Sequence, residues 1–444
     1  MVVVGAGFAG LAAADFLRRA NVSYVVLEAT DRVGGRARTD YQLGAGRPVE
    51  LGAQMVHGRR ARTHAWIHRA GLTTRPYPIL QRARFVVDRR VGATPWTALP
   101  FHPVVGARAT VRGLLTIPRS FRRHQGPDAS VADRLDALGA DRATRLLVEL
   151  LCAHVFAADP DEVGIAGQGA EEAMAEESFG FRNFQVEAGY TALAERIAGV
   201  TKDRIRLQRP VRDIGWDSRG VTVRADGPGG AAEEWRARSA IVTVPLGVLR
   251  DGQPRFDPPL PAPKRRAIER VGFADGYAVT LRVDDARLAT LGDFALLWGG
   301  TASTFYRPRV GRREPGTLLT AFTVGREARR RGALDDERLV EATVDEWTGI
   351  APAHASLGRV SGAVVHRWSA DPWARGAYSF LPVGVGIDDR AALAEPVEGR
   401  LFFAGEATDV GGAAATVSGA LRTGERAAEE ALRAERRLGR PVAG

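Results

Sequence analysis

Residues 1–40 set the pattern of the chain: a short apolar run, a glycine turn, a helically spaced stretch and a second apolar run. Val2-Val3-Val4 reads as a buried strand, and Gly5 to Gly10 as the turn. Leu11 to Ala20 carries Leu11, Ala14 and Leu17 at helical spacing. Tyr24-Val25-Val26-Leu27 reads as a second buried strand; unbroken apolar runs of this kind suit a parallel sheet. From about residue 75 to 188 the pattern changes. Pro and Arg are frequent up to Pro127, and helices are predicted over Val131–Ala137 and Arg142–His154, as in a mainly helical insertion. Residues 189–250 return to an α/β pattern, with a helix at Leu193–Ile197 and strands at Ile205–Leu207, Val221–Arg224 and Ala240–Val244. Pro254–Pro263 reads as a linker. Strands at Ala278–Val283 and Leu318–Val324 and a helix at Asp336–Trp347 follow. The chain closes as it opened, with strand Leu401–Phe403, a glycine turn and a long helix, Val417–Arg433.

The repeated strand, turn and helix pattern predicts an α/β domain of Rossmann-like type, discontinuous and assembled from 1–75, 189–270 and 390–444. Residues 76–188 and 271–389 are then a second, mixed α+β domain. Pockets favour such boundaries.

Composition changes this picture little. A 444-residue chain with 45% hydrophobic and 26% charged residues has ample core for two domains. The net charge of +10 comes from arginine; lysine occurs only at 202 and 264. The arginines are scattered, with local clusters at Arg89-Arg90, Arg122-Arg123 and Arg329-Arg330-Arg331; acids lie close to most of them, which reads as a solvated surface, with no nucleic-acid partner expected. Cys152 is the single cysteine, so neither an internal disulfide nor a cysteine metal cluster can form. The eight histidines show no metal-ligand spacing, and no metal is expected. The first residues lack a basic, apolar signal segment and no apolar run is long enough to span a bilayer, which predicts a cytoplasmic protein with no membrane partner.

Gly5-Ala6-Gly7-Phe8-Ala9-Gly10 fits G-x-G-x-x-G between a strand and a helix. The first glycine allows the tight turn, the second lets the backbone approach a pyrophosphate, and the third lets helix and strand pack closely. The helix N-terminus then offers free N–H groups to phosphate. Glu28, followed by Ala29, ends the next strand at the offset expected of an acid that binds ribose hydroxyls. These residues specify a dinucleotide and do not separate FAD from NAD.

The stretch Asp31-Arg32-Val33-Gly34-Gly35-Arg36 resembles the flavin amine oxidase family, which includes monoamine, polyamine and L-amino-acid oxidases and histone-demethylase relatives. Three further segments extend the resemblance: Glu50-Leu51-Gly52-Ala53-Gln54-Met55-Val56-His57-Gly58, Trp368 to Trp373 with Gly376-Ala377-Tyr378-Ser379, and Phe402 to Thr408 with Ala415-Thr416-Val417-Ser418-Gly419-Ala420. It implies non-covalent FAD, since Ala377 stands where monoamine oxidases carry the flavin-bonding cysteine. It also implies that Arg32, Gly34, Gly35 and Arg36 contact the pyrophosphate, that Gly52, Ala53, Gln54, Met55 and Trp368 lie along the flavin, and that the backbone of Val211 touches adenine. Gly405, Glu406, Thr416, Val417 and Ala420 would hold the ribityl and pyrophosphate part and the pyrimidine edge, where a helix N-terminus stabilises negative charge.

The implied reaction is hydride transfer from the carbon beside nitrogen of a primary or secondary amine to flavin N5, giving an imine. Tyr378 matches the aromatic residue at the flavin face. His57 is either a hydrogen-bonding partner or weak base for the substrate nitrogen, or a satisfied histidine beside a glycine turn. Thr416 stands where monoamine oxidases have a second tyrosine, so a second aromatic wall must come from Trp298, Trp368 or Phe380. Ala278 occupies the position of a family lysine linked to oxygen reactivity, so the electron acceptor is O2 or another carrier. An L-amino-acid oxidase and a flavoenzyme that oxidises or desaturates a non-amine substrate stand as alternatives.

Overall fold

The computed structural model describes residues 1–78, 82–87, 89–92, 126–175, 182–284, 288, 296–298, 302–308, 317–351 and 355–437. Its first layer is a five-stranded sheet in the order Ile205–Arg206, Val25–Leu27, Val2–Val4, Ala240–Val242, Leu401–Phe403. Every pairing in it is parallel. The sheet therefore takes its strands from the beginning, the middle and the end of the chain.

Helix Phe8–Arg19 covers one face of this sheet, and the C-terminal helix Val417–Arg437 packs against it. The contact is close because both facing sides are small: Ala9, Ala12 and Ala13 meet Ala427, Ala428 and Ala431 in one buried cluster. At Gly424 a Cβ would lie 2.1 Å from the Ala9 carbonyl oxygen, so only glycine fits there. Leu11 and Leu17, fully buried in the same cluster, contribute roughly 1.5–3 kcal/mol each.

The second large sheet has seven strands in the order Val360–Arg367, Gly276–Val283, Thr317–Val324, Ser303–Tyr306, Leu296–Trp298, Ala83–Val87, Arg90–Gly92. Tyr277, Val279, Leu281 and Val283 face one way, into a core with Leu339 and Trp347 of helix Asp336–Ile350. The alternation of a strand then turns Ala278 and Thr280 to the opposite face. A four-stranded sheet (Ala232–Ala237, Gly220–Asp226, Val211–Asp217, Arg255–Asp257) and a three-stranded one (Val56–His57, Asn183–Val186, Thr74–Tyr77) complete the frame.

Three sequence expectations change. Pro254–Pro263 is more than a linker: Arg255–Asp257 pairs parallel with Val211–Asp217, and helix Ala262–Arg270 starts inside the stretch because Pro263 sits in its first turn, where the missing N–H costs nothing. The insertion from 75 to 188, expected to be mainly helical, carries strands as well: Ala83–Val87 joins the seven-stranded sheet. The helix from Arg142 ends at Leu151, and a π-helical turn, Cys152–Phe156, replaces its last part. Helices Val131–Ala137 and Tyr190–Gly199 fall where the spacing places them. Arg122-Arg123 lies outside the described residues. Arg329 pairs with Glu162 and Asp275 on the surface, whereas Arg331 is largely buried against Glu346.

Candidate active site

A cavity of about 1310 Å³ runs from the glycine turn, past the C-terminal ends of the parallel strands, to the seven-stranded sheet. That exceeds the ~300–1,000 Å³ of an ordinary small-molecule pocket, which leaves room for a dinucleotide and a substrate together.

At one end lies a cradle for phosphate and ribose. Gly5, Gly7, Phe8 and Ala9 line it; Ala6 and Gly10 support it from behind. A Cβ on Gly10 would lie 1.9 Å from the Gly5 carbonyl oxygen, whereas one on Gly7 would meet nothing closer than the Gly35 Cα at 4.0 Å. Gly10 is therefore a packing residue, and Gly7 faces the open cradle. The Glu28 carboxylate accepts from the Ala6 N–H (2.6 Å) and from the Thr30 N–H and hydroxyl (2.9 and 2.8 Å). These bonds fix the carboxylate against the turn and leave lone pairs for ribose hydroxyls. Ala29, Arg32, Gly34, Gly35, Arg36 and Val211 also line this end.

In the middle, Gly52, Ala53, Gln54 and Met55 form one wall. Trp368 donates its indole N–H to the Leu51 carbonyl (2.7 Å), and a Cβ on Gly52 would lie 2.7 Å from the Trp368 ring. Opposite, Gly405, Glu406, Thr416, Val417 and Ala420 line the cavity. Thr416 caps the C-terminal helix: its Oγ1 accepts from the Gly419 N–H (3.0 Å) and donates to the Ala413 carbonyl (2.7 Å). The positive end of that helix is thus held at the cavity wall. Glu406 is a buried hub that takes bonds from Arg36 (2.8 Å), the Ser379 hydroxyl (2.6 Å) and the Ala415 N–H (2.9 Å). Burial alone would raise its pKa, but Arg36, Ser379 and Arg390 together hold it below the ordinary value.

The far end carries a tyrosine and two histidines. Tyr378 lines it with its ring and donates its hydroxyl to the His154 carbonyl (3.2 Å). His57 lies directly across from Asn183 in an antiparallel pair, and its Nδ1 meets the Asn183 Oδ1 at 3.0 Å. With Nδ1 as donor, Nε2 is left as the acceptor of a neutral ring. Burial pushes the His57 pKa down, opposed in part by the Asn183 bond. His154 Nδ1 lies 2.5 Å from the Tyr306 hydroxyl, and burial, with His57 nearby, pushes its pKa to about 4. Both imidazoles are uncharged near neutral pH. The π-helical turn puts His154, Val155 and Phe156 in succession on the cavity wall, with Leu147 and Leu151 preceding them on the helix. π-turns are often found at functional sites.

Of the candidates read from sequence, Ala6 and Gly10 sit behind the cradle rather than on it, and Trp298 and Phe380 do not line the cavity. Trp298 packs with Tyr77, Phe85 and Tyr306 behind the cavity, and Tyr306, one strand nearer, takes the wall. Phe380 is buried in another cluster, so Trp368 is the one of the three proposed second aromatics that reaches the cavity. Ala377 and Ala278 both line it, and no lysine is among the described lining residues. Lys264 is committed elsewhere, donating to the Ala392 and Leu393 carbonyls. Sequence reasoning missed Asn183, His154, Tyr306, Phe322 and the buried Arg390–Glu171 pair (3.2 Å). Among the described residues no group of acids, histidines and cysteines could hold a metal ion, and no helix is long and apolar enough to cross a membrane.

A parallel sheet with a glycine turn, a ribose acid and a helix end aimed at a long cavity defines a dinucleotide-binding protein. The chain belongs to the flavin containing amine oxidoreductase family, whose model matches residues 8–432. It is similar to polyamine oxidase 3 of Oryza sativa subsp. japonica, 29% identical with 97% of this chain and 88% of that protein covered. It is also similar to lysine-specific histone demethylase 1 homolog 1 of the same organism, at 28% identity with 100% and 53% covered. Two solved structures share its fold: cyclohexylamine oxidase from Brevibacterium oxydans IH-35A (TM-score 0.80, 24% identity, 99% of each chain) and putrescine oxidase bound to putrescine (TM-score 0.80, 22% identity, 99% and 98%). The protein is an FAD-dependent amine oxidoreductase.

Proposed function

We propose that the protein oxidises a primary or secondary amine to an imine at the far end of the cavity, with His57 and Tyr378 at the reacting carbon and nitrogen. The observation that carries this reading is the position of His57, Asn183, Tyr378 and Trp368 on the wall of the cavity that also holds the phosphate cradle. FAD, when bound, supplies the acceptor for a hydride equivalent from the carbon beside nitrogen. The protein must bind the amine uncharged, orient it and exclude water. A neutral His57, with Nδ1 held by Asn183, presents Nε2 to accept a hydrogen bond or proton from the substrate nitrogen. Tyr378, its hydroxyl tied to the His154 carbonyl, offers a fixed aromatic face. Thr416 keeps the helix end in place for the negative charge of a reduced ring.

The phosphate and ribose contacts fall to Gly5, Gly7, Phe8, Ala9, Glu28, Arg32, Gly34, Gly35 and Arg36, and the flavin contacts to Gly52, Ala53, Gln54, Met55, Trp368, Gly405, Val417 and Ala420. Residues 1–75, 189–270 and 390–444 form the cofactor domain in this reading. The acceptor is O2 or another electron carrier, and Ala278, in place of the family lysine, supports slow reaction with O2. The reading places the protein in the cytoplasm. Anaerobic addition of primary amines to the yellow protein tests it: the flavin band bleaches. Protein purified without flavin that takes up none on adding FAD would contradict it.

A further inference from the structure

Among the described residues the cavity's charged groups are already partnered, and this bears on what substrate fits. Of the carboxylates that line it, Glu28 is bonded to Ala6 and Thr30, and Glu406 to Arg36, Ser379 and Ala415. Glu171 pairs with Arg390, which is 1% exposed. Asp371 accepts from the Trp373 N–H (2.8 Å), and Glu50 from the Tyr190 N–H (2.9 Å) and the Thr39 hydroxyl (2.8 Å). The arginines of the lining are engaged as well: Arg32 on the Gly35 carbonyl, Arg36 on Glu406, Arg209 on Glu233 and Arg390 on Glu171.

The chamber beyond His57 and Tyr378 is walled by Leu147, Leu151, Val155, Phe156 and Phe322. Beside these walls the His154 ring is bonded to Tyr306, the Tyr378 hydroxyl to the His154 carbonyl and the Thr320 hydroxyl to Thr280. A second ammonium would enter this chamber without a counter-charge, and a carboxylate without a free cation, each at a desolvation cost that nothing among the described walls returns.

We infer that the substrate is a monoamine with an apolar alkyl, cycloalkyl or aryl body, and that the chamber beside the π-helical turn discriminates against di- and polyamines and against α-amino acids. The inference rests on the amine-oxidising reading, and deepens it. The amine nitrogen meets polar groups at His57 and Asn183, while the body displaces water from the apolar walls.

The test is anaerobic flavin reduction of the holoenzyme by hexylamine and by 1,6-diaminohexane, which differ only in the distal amine. At about pH 8, where that amine is charged, hexylamine half-saturates the bleaching rate at a concentration about ten-fold or more below that of the diamine. Leu151→Glu, which places a carboxylate on the chamber wall, narrows or reverses the ratio, and its retained flavin band reports that it folds. A diamine that reduces the flavin as readily as hexylamine overturns the inference and leaves amine oxidation standing. If no amine bleaches the flavin but hexylamine perturbs the oxidised spectrum at lower concentration than the diamine, the chamber stands and the oxidation reading falls. If neither bleaches nor perturbs it, both fall.

Discussion

Gly7 and Gly10 lie three residues apart in one turn, yet they answer to different constraints. Gly7 has a φ of −68° that any residue can adopt, and a side chain there would project into the open cradle. Gly10 backs onto the Gly5 carbonyl. Gly7→Val is therefore expected to fold and to purify without FAD, because its methyls occupy the pyrophosphate's approach. Gly10→Val is expected to destabilise the apoprotein by roughly 1–3 kcal/mol or more through overpacking. Thermal melts of both apoproteins, with flavin content, check this; equal flavin loss with equal destabilisation would contradict the division of roles. The turn was legible in the sequence because its constraint is local and its spacing fixed. The pairs His57–Asn183 and His154–Tyr306 were not, because they join positions 126 and 152 residues apart, the first through sheet register and the second through packing of the π-helical turn against a strand, which no local pattern encodes. Trp298 was misplaced for the same reason: an aromatic residue on a strand looks alike whether it lines the cavity or lies one strand behind it.

Among elements, the ends matter more than the middles. Thr416 caps the C-terminal helix and at the same time fixes that helix end on the cavity wall. Thr416→Ala is expected to cost about 0.5–2 kcal/mol of stability and to weaken FAD binding, with Thr416→Ser restoring most of both. Urea unfolding and flavin titration of the three proteins measure this; an alanine variant with unchanged stability would show that the cap is dispensable. The helix that begins at Arg142 was visible in its apolar spacing and in Asp141, whose side chain accepts from the Thr144 N–H (2.7 Å). Its π-helical ending was not, since it is set by the tertiary contacts of His154 and Phe156. Proline misled in the other direction: the run from Pro254 to Pro263 hides a paired strand and a helix start, both of which tolerate proline at their ends.

At the scale of the whole molecule, the buried titrating groups give stability a pH dependence of known sign. His57, His154 and His366 are all held neutral by burial, the last two at about 4. The unfolded chain takes up protons on them below about pH 6.5 and the folded chain does not, so their contribution is full above that pH and is lost as pH falls towards 4. Glu50, raised by burial to about 8, acts in the opposite sense: it stays protonated when folded, so its contribution falls as pH rises from the ordinary carboxylate range to about 8. The melting temperature of the apoprotein is therefore expected to drop between pH 6.5 and 5, each histidine adding at most about 1.4 kcal/mol per pH unit. His154→Phe should blunt the drop, and an unchanged slope would show that His154 is not a buried neutral base.

The central claim is that the protein breaks the bond between hydrogen and the carbon beside an amine nitrogen. The most direct measurement is an anaerobic single turnover with a monoamine and its α-deuterated form, following the flavin band and the carbonyl product of imine hydrolysis. The account predicts slower bleaching with the deuterated amine and one carbonyl product per flavin reduced. A flavin that stays oxidised, or that bleaches without any carbonyl product, would contradict it.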